Sequence, residues 1–309
     1  MKTAFVFSGQ GAQFVGMGKD LVENSAAAKA VFEKADQTLS WSVSDVCFQG
    51  PEEKLRESRY CQVAVFTTSM ACLAAFQEKF PGVTPVGCAG LSLGEYGALC
   101  CASYFTFEDA LRLIARRAEL MDEACRKEKG TMASILTNGS VPLDVFEKIC
   151  SGCGIYVANF NSPAQTVISG CVDGVAKAVE LFKEVPGVKR VVPLNVAGAF
   201  HSGLMAEAGE ALRPVLAEVK VQEPVLPVAQ NVTGTVTEDY TLIKENLVRQ
   251  VPGSVQWVSC VNALSALGAE AFIEFGPGTV LSGLIRKIDS GKKVMNVSAF
   301  ADLGKIEIA

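Results

Sequence analysis

A serine between two glycines is the feature of this sequence with the clearest chemical potential. The run Gly90-Leu91-Ser92-Leu93-Gly94 follows a predicted strand and precedes a predicted helix. This context is typical of a nucleophile elbow, in which glycines relieve the crowding of a sharp turn around an exposed serine. The helix N-terminus beyond the turn would favour developing negative charge. We therefore predict Ser92 as a nucleophile, the alternative being a chance Gly/Ser turn.

A serine nucleophile needs a base, and the chain contains one histidine, His201. A lone histidine is usually a surface or satisfied core residue, but no other imidazole is available to this serine. His201 lies where a predicted small domain returns to the main one. No acid is marked as its partner, so a backbone carbonyl or an unassigned Asp or Glu would orient the ring. We expect a rate that rises with pH, with an inflection within about two units of 6.5.

A glycine-rich loop, Gly9-Gln10-Gly11-Ala12-Gln13, follows the first predicted strand. It makes a poor phosphate loop, because it has no GK[ST] and no third glycine in register. A loop at the carboxyl end of a strand can instead aim backbone N–H groups at a cleft. The interpretation that fits is an oxyanion-hole loop.

Arg117 is predicted to point inward. On the helix expected over 106–125 it lies three residues after Ile114 and four before Met121, along the apolar stripe. An inward arginine must find an anion. Spacing alone favours an internal ion pair with Asp or Glu, and a substrate carboxylate is the functional alternative.

The eleven cysteines do not indicate a disulfide framework or a metal site. Several lie in apolar or Ala/Gly-rich stretches, where free cysteine behaves as a small hydrophobe. Cys150 and Cys153 have CxxC spacing, but there is no second CxxC and the only histidine is distant. We expect no metal, and a reducing cytosol as the compartment.

Composition excludes several function classes. The 309 residues carry 28 Lys and Arg against 33 Asp and Glu, a formal net charge of −5, which argues against nucleic-acid binding. Mean hydropathy is high at +0.28, yet no apolar run reaches the ~20 residues that a membrane span needs. The N-terminus does not have the pattern of a signal peptide. The apolar residues instead occur in short segments, as in a buried parallel sheet covered by helices.

The order of predicted elements indicates two domains. Buried strands are predicted over 3–7, 83–89, near 226–230 and over 271–275, and helices over 26–35, 61–79, 94–101, near 241–250 and over 254–267. Between them, a βαββαβ order over 131–192 is ferredoxin-like. The predicted fold is α/β, a doubly wound, mostly parallel sheet with an α/β-hydrolase-like core. Residues 1–128 and 197–309 would form this core, and 129–196 an inserted small α+β domain, with the substrate cleft between them.

These pieces, in this order, resemble the malonyl-CoA:acyl carrier protein transacylases over nearly the whole chain. The matching runs are Phe7–Gln13, Leu91–Tyr96, Arg117 with Met121, Ala158–Pro163 with Val167–Gly170, Ala199–Ser202 with Met205, Asn231–Gly234, Gln250 before Val255–Trp257, and Glu274–Gly278. Any one run could arise by chance, but their joint order is specific.

The resemblance implies roles for the reacting groups. Ser92 would be the acylated nucleophile and His201 its base. Gln10 and Leu93 would supply the oxyanion N–H groups from their backbones. The main chain of Gln250 would orient the histidine, which would explain why no acid stands out.

It also implies the residues that bind substrate. Arg117 would grip the free carboxylate of the malonyl group. Phe200 would exclude branched methylmalonyl groups by filling space, and Asn161 and Gln62 would line the cleft. Where many relatives have histidine before the nucleophile, this chain has Leu91, and Gln62 is followed by valine where the family often has proline. Glu95 we interpret as a helix cap or structural anion rather than an acid catalyst.

The implied reaction moves malonate from malonyl-CoA, through an acyl-serine, to the phosphopantetheine thiol of an acyl carrier protein. No cofactor is expected. The expected partners are the carrier protein and CoA, with neither nucleic acid nor membrane, and the expected form is a cytoplasmic monomer. Two rival classes are a serine hydrolase using the same pair and a catalytically silent carrier-binding module. An inward arginine argues against the hydrolase, because neutral esters gain nothing from a cation in the cleft.

Overall fold

The computed structural model describes residues 1–237 and 239–308. The strands are β1 (Thr3–Phe7), β2 (Cys88–Gly90), β3 (Gly130–Thr137), β4 (Tyr156–Ser162), β5 (Gln165–Cys171), β6 (Val188–Pro193), β7 (Ala271–Phe275) and β8 (Lys293–Val297). The α-helices are α1 (Lys19–Asn24), α2 (Ala26–Thr38), α3 (Val43–Gln49), α4 (Glu52–Arg56), α5 (Ser58–Lys79), α6 (Gly94–Cys101), α7 (Phe107–Lys127), α8 (Leu143–Gly152), α9 (Val172–Lys183), α10 (Ala206–Glu218), α11 (Ile243–Gln250), α12 (Trp257–Ala266) and α13 (Val280–Ile288).

The larger body is built on a parallel sheet in the order β2-β1-β7-β8. Strand β1 is buried at every position because both faces of the sheet are covered. Phe5 and Phe7 pack in the cluster that includes α5, whereas Ala4 and Val6 pack in the cluster that includes α12 and α13. This alternation explains why the strand has a continuous apolar run, and it confirms the α/β prediction with a parallel sheet.

The smaller body is an antiparallel sheet in the order β4-β5-β3-β6, with α8 and α9 packed on one face. The chain order βαββαβ with this strand order is the ferredoxin-like arrangement that the sequence predicted. Strand β4 of the smaller body contacts the segment before α12 of the larger body, where Phe160 N–H donates to the carbonyl of Val255 at 2.9 Å and Val255 N–H donates to that of Ala158 at 2.8 Å. We retain as a proposal the division into 1–128 with 197–309 and 129–196.

Two predicted strands differ from the structure. Of the strand predicted over 83–89, only Cys88 and Ala89 lie in a strand, which ends at Gly90. The strand predicted near 226–230 is wrong: Val228 makes one parallel bridge to Cys88, and Ala229 one antiparallel bridge to Val236. The segment leaves the sheet at once because it turns back on itself through Gly234, whose φ is +68°. No helix of the described residues is long and apolar enough to cross a membrane.

Candidate active site

The serine turn is tight enough to require both of its glycines. A Cβ at Gly90 would lie 2.0 Å from backbone atoms of Gly94, and one at Gly94 would lie 2.1 Å from the carbonyl oxygen of Phe7. Between them Ser92 has φ +53°, a left-handed conformation that non-glycine residues rarely adopt. Such strain persists only where the surroundings enforce it, and it concentrates at functional sites. The turn therefore has the strand–turn–helix geometry of a nucleophile elbow.

The backbone of Ser92 is held on both sides. Its N–H donates to Asn231 Oδ1 at 2.6 Å. Its carbonyl accepts from Gln250 Nε2 at 2.9 Å and from the N–H of Glu95 at 3.2 Å. Asn231 Nδ2 also donates to the Gly90 carbonyl at 2.8 Å. These bonds from distant segments stabilise a backbone conformation that the local sequence disfavours.

The side chains of Ser92 and His201 are hydrogen-bonded, with 2.8 Å between Oγ and Nε2. On the other side of the ring, Nδ1 lies 3.0 Å from the carbonyl oxygens of both Gln250 and Gly253. Since carbonyls only accept, Nδ1 must carry the proton, and Nε2 is left as the acceptor for the serine hydroxyl. Two backbone carbonyls thus occupy the place of a triad acid.

His201 is held neutral. It is 5% exposed, and its backbone φ of +56° is also left-handed. Burial, with the nearby positive charge of Arg117, lowers the pKa of His201 to about 4, although the two carbonyls act in the opposite direction. The structure therefore moves the expected inflection of the rate to a lower pH than the sequence predicts, toward a pKa of about 4. The ring is a free base at every pH near neutrality.

Arg117 is buried, at 1% exposure, and its partners are neutral. Nη1 donates to Gln62 Oε1 at 2.6 Å, and Nη2 donates to Ser92 Oγ and Gln250 Oε1, each at 3.1 Å. Its guanidinium also lies 5.5 Å from the ring centroid of Tyr96. Within the described chain no Asp or Glu forms an ion pair with it. The internal ion pair that spacing favoured is therefore wrong, and the cation faces the serine oxygen.

Gln62 connects the arginine to the glycine-rich loop. Its Nε2 donates a hydrogen bond to Gln10 Oε1 at 3.1 Å, and its Oε1 accepts one from Arg117 Nη1. The loop touches the elbow, since a Cβ at Gly9 would lie 2.5 Å from the Leu91 carbonyl oxygen. The backbone N–H groups of Gln10 and Leu93 have no partner among residues 1–237 and 239–308. Two unsatisfied donors beside a nucleophile are what an oxyanion needs.

Phe200 and Asn161 are the two remaining predicted site residues. Phe200 is 6% exposed and packs in the main core next to His201 in sequence. Asn161 lies on β4, and its buried Oδ1 has no hydrogen-bond partner in the described structure. Neither contacts Ser92, His201 or Arg117 by a hydrogen bond, so their roles stay predictions.

The cysteines lie outside this constellation. All eleven are free, and burial raises the pKa of Cys47, Cys61, Cys100 and Cys150 to about 12, which suppresses the reactive thiolate. Among the residues described, no group of three or more His, Cys, Asp or Glu could hold a metal ion.

Sequence reasoning missed Asn231 and Gly253. Asn231 belongs to a run that matched the family, but nothing in that run indicated a hydrogen bond to Ser92, 139 residues away. The Gly253 carbonyl that contacts His201 is a backbone group, and such groups have no residue-type signature. Only the fold brings these contacts together.

Comparison with known proteins identifies this arrangement. The chain matches the acyl transferase domain family over residues 4–307. It is 43% identical to the malonyl CoA-acyl carrier protein transacylase of Bacillus subtilis (strain 168), across 100% of this chain and 96% of that protein. The transacylase structure from Clostridium perfringens superposes with a TM-score of 0.93 at 35% identity, covering 99% of this chain and 96% of that one.

A further solved structure contains a type II PKS acyl-carrier protein in complex with its malonyl-transacylase. It superposes on this chain with a TM-score of 0.93 at 34% identity, covering 99% of this chain and 98% of that one. A family match over nearly the whole length agrees with close relatives and with the same fold. This chain therefore belongs to the acyl transferase family and, within it, to the malonyl CoA-acyl carrier protein transacylases.

Proposed function

We propose that this chain transfers the malonyl group from malonyl-CoA to the phosphopantetheine thiol of an acyl carrier protein, through an ester on Ser92. The observation that carries the proposal is the convergence of two groups on Ser92 Oγ: His201 Nε2 at 2.8 Å and Arg117 Nη2 at 3.1 Å. His201 is positioned as the base that removes the hydroxyl proton. Arg117 is positioned as a cation that can bind the acyl group once this group is attached to the serine oxygen.

In the first half-reaction, His201 Nε2 takes the hydroxyl proton as Ser92 Oγ attacks the thioester carbonyl carbon. The carbonyl oxygen becomes an oxyanion, which the free N–H groups of Gln10 and Leu93 stabilise. The carbon–sulfur bond then breaks. The CoA sulfur leaves with the proton held by His201, and malonyl-Ser92 remains.

The second half-reaction reverses these roles. His201 removes the proton of the carrier's phosphopantetheine thiol, the sulfur attacks the ester carbonyl carbon, and the serine oxygen leaves with that proton. The bonds of Nδ1–H to Gln250 and Gly253 keep the same tautomer ready for both steps. The histidine is therefore neutral at the beginning and the end of each half-reaction.

Arg117 would select the acyl group. A malonyl ester on Ser92 places its free carboxylate two bonds beyond the ester carbonyl carbon, within reach of a guanidinium that already contacts Oγ. The arginine's neutral partners, Gln62 and Gln250, leave its positive charge for the substrate. A planar guanidinium can bind a carboxylate through two parallel hydrogen bonds. This requirement for an acidic acyl group favours the transferase over a hydrolase of neutral esters.

The proposal includes the remaining expectations. Phe200 would exclude branched acyl groups, and Asn161 Oδ1 would hydrogen-bond a substrate donor in the cleft. The reaction balances with no cofactor or metal. The cytoplasm as compartment is supported by eleven free cysteines, and the protein would act there as a monomer.

The direct test is intact-mass analysis after incubation with malonyl-CoA, with and without holo carrier protein. We expect one malonyl adduct on this chain without carrier, because the ester has no acceptor other than water and the released CoA, which excess malonyl-CoA outcompetes. When the malonyl-enzyme is freed of malonyl-CoA and mixed with excess holo carrier, the adduct should disappear and an equal amount of malonyl carrier should form. Release of free malonate at the same rate with or without carrier would indicate a hydrolase instead.

Arg117→Ala should change which acyl group is accepted. We expect kcat/KM for malonyl loading to fall by roughly 100-fold or more, because two charge-assisted hydrogen bonds are lost. Acetyl loading should change little, since acetyl has no carboxylate. Arg117→Lys keeps the charge without the planar geometry and should give an intermediate value. An unchanged ratio of malonyl to acetyl loading, with a lowered Tm, would make Arg117 a structural residue.

A further inference from the structure

Glu95 is a buried carboxylate immediately beside the nucleophile. It lies in the first turn of α6 and has no exposed surface. Its two oxygens accept three hydrogen bonds, from Gln230 Nε2 at 3.1 Å, from the Asn231 N–H at 2.9 Å and from Gln250 Nε2 at 2.8 Å. The proposed reaction gives this group no role. A charge in such a place requires an explanation, because burying a carboxylate is costly.

The hydrogen bonds fit the ionised form of Glu95. Every polar group that contacts its oxygens is an N–H donor, so a carboxyl proton would meet donors rather than an acceptor. The pKa of Glu95 is raised, because burial outweighs the three donors and the positive charge of Arg117, which oppose that rise. The hydrogen-bond geometry, in which only donors face the carboxylate, favours the ionised form.

The Gln250 side chain joins this anion to the arginine. Its Nε2 donates to Glu95 Oε2 at 2.8 Å and to the Ser92 carbonyl at 2.9 Å. Because both acceptors lie on the nitrogen side, the amide oxygen must face the other way, where it accepts from Arg117 Nη2 at 3.1 Å. An amide turned by 180° would point its N–H groups at the guanidinium, donor against donor. The orientation of Gln250 therefore depends on Glu95.

The same carboxylate supports a second contact to the nucleophile. Asn231 makes two hydrogen bonds here: its backbone N–H donates to Glu95, and its Oδ1 accepts from the Ser92 N–H at 2.6 Å. Glu95 thus anchors both residues that hold the strained backbone of Ser92, one through its main chain and one through its side chain. The hydrogen bonds that connect Glu95 to Arg117 run through the Gln250 amide.

We propose that Glu95 is a positioning residue that sets the acyl-group preference of the enzyme, by fixing the Gln250 amide that aims Arg117 at the group on Ser92. The inference rests on the proposed function and deepens it. A direct Glu95–Arg117 ion pair would occupy the guanidinium that must bind the substrate carboxylate. With the Gln250 amide between them, the negative charge of Glu95 stays near Arg117 while the arginine keeps neutral hydrogen-bond partners, which a substrate carboxylate can replace.

Glu95→Gln is the test, measured as the ratio of kcat/KM for malonyl-CoA to that for acetyl-CoA in acylating Ser92. A glutamine at 95 offers one acceptor oxygen to three donors and has no charge, so the Gln250 amide loses its fixed orientation. We expect the ratio to fall roughly 10-fold or more, mainly through a raised KM for malonyl-CoA. A purely structural residue would lower both acylation rates alike and leave the ratio unchanged, which would overturn the proposal.

Glu274→Gln is the matched control, because among the described residues Glu274 is the other glutamate with no exposed surface. It accepts from the backbone N–H groups of Leu281 and Ser282 and does not contact Gln250 or Arg117. We expect this variant to lower Tm and to keep the wild-type ratio. A ratio lowered as much as in Glu95→Gln would show a general effect of losing a buried carboxylate and would overturn the proposal.

A double variant tests the route through the arginine. In an Arg117→Ala background, Glu95→Gln should leave the malonyl-to-acetyl ratio at the value that Arg117→Ala alone gives, because both changes remove the same interaction, that of Arg117 with the substrate carboxylate. A further drop would mean that Glu95 acts independently of Arg117, against the proposal.

Two further measurements keep the result unambiguous. If Glu95→Gln does not fold, Glu95→Asp carries the test: it keeps the charge but is one methylene shorter, so an intermediate ratio supports the proposal and an unchanged one overturns it. The wild-type protein is assayed first. Absence of malonyl-Ser92 there would refute the proposed function itself, whereas its presence with an unchanged ratio in the Glu95 variants would refute only the role of Glu95.

Discussion

Ser92→Ala is expected to abolish the malonyl adduct entirely and to reduce transfer by about a million-fold, as for nucleophile removal in other serine enzymes. Ser92 Oγ is the atom on which the His201 and Arg117 hydrogen bonds converge, and no neighbouring group can replace it as nucleophile. The buried cysteines do not offer a substitute, since burial suppresses their thiolates. Intact-mass analysis with malonyl-CoA measures the adduct directly.

A matched control for this change is Ser103→Ala. Ser103 also has a left-handed backbone, with φ +63°, so alanine meets a similar conformational strain there. It lies beyond the end of α6, away from the elbow, and its side chain is exposed. The control variant should form the adduct as the wild type does. An adduct of full stoichiometry in Ser92→Ala would show that another residue is acylated.

Local signals explain which elements were predictable. Thr106 accepts the N–H of Asp109 as a helix cap, and the apolar stripe that follows is long and regular, so α7 is predicted within about two residues. Helix α10 was missed because Pro214 interrupts its pattern. Strand β8 was missed because it is only partly buried and is defined by its pairing with β7. Pairing between distant segments leaves no local trace.

The site divides in the same way. Residue type and spacing define the elbow around Ser92, the single histidine and the inward face of Arg117, so the sequence indicates them. The groups that hydrogen-bond to these residues are not defined by residue type and spacing. The carbonyls that face His201 Nδ1 lie 49 and 52 residues from it, and neither owes its role to its side chain. The neutral shell around Arg117 likewise depends on Gln62 and Gln250, which lie 55 and 133 residues away.

His201→Ala is expected to slow acylation by roughly two to four orders of magnitude, because the serine proton then has no acceptor.

In the wild type, the base is active when His201 is neutral, so kcat/KM should rise with pH through a pKa of about 4 and be flat from about pH 5 to 8. A profile with its main inflection near 6.5, with chemistry shown to limit the rate, would contradict the burial of the ring.

The positive charge of Arg117 makes this assignment testable at accessible pH. Arg117 is the largest cause after burial of the lowered pKa of His201, so Arg117→Gln should raise that pKa and move the acid limb of the profile upward. Acetyl-CoA is the proper substrate for this comparison, because its loading does not depend on a carboxylate contact. If the acid limb stays in place in Arg117→Gln but disappears in His201→Ala, the guanidinium does not act on the base. If the acid limb moves upward, the same arginine both selects the acyl group and keeps His201 unprotonated. A bound malonyl carboxylate that neutralises Arg117 would then raise the pKa of His201. The histidine would thus become a stronger base only once the correct substrate is bound.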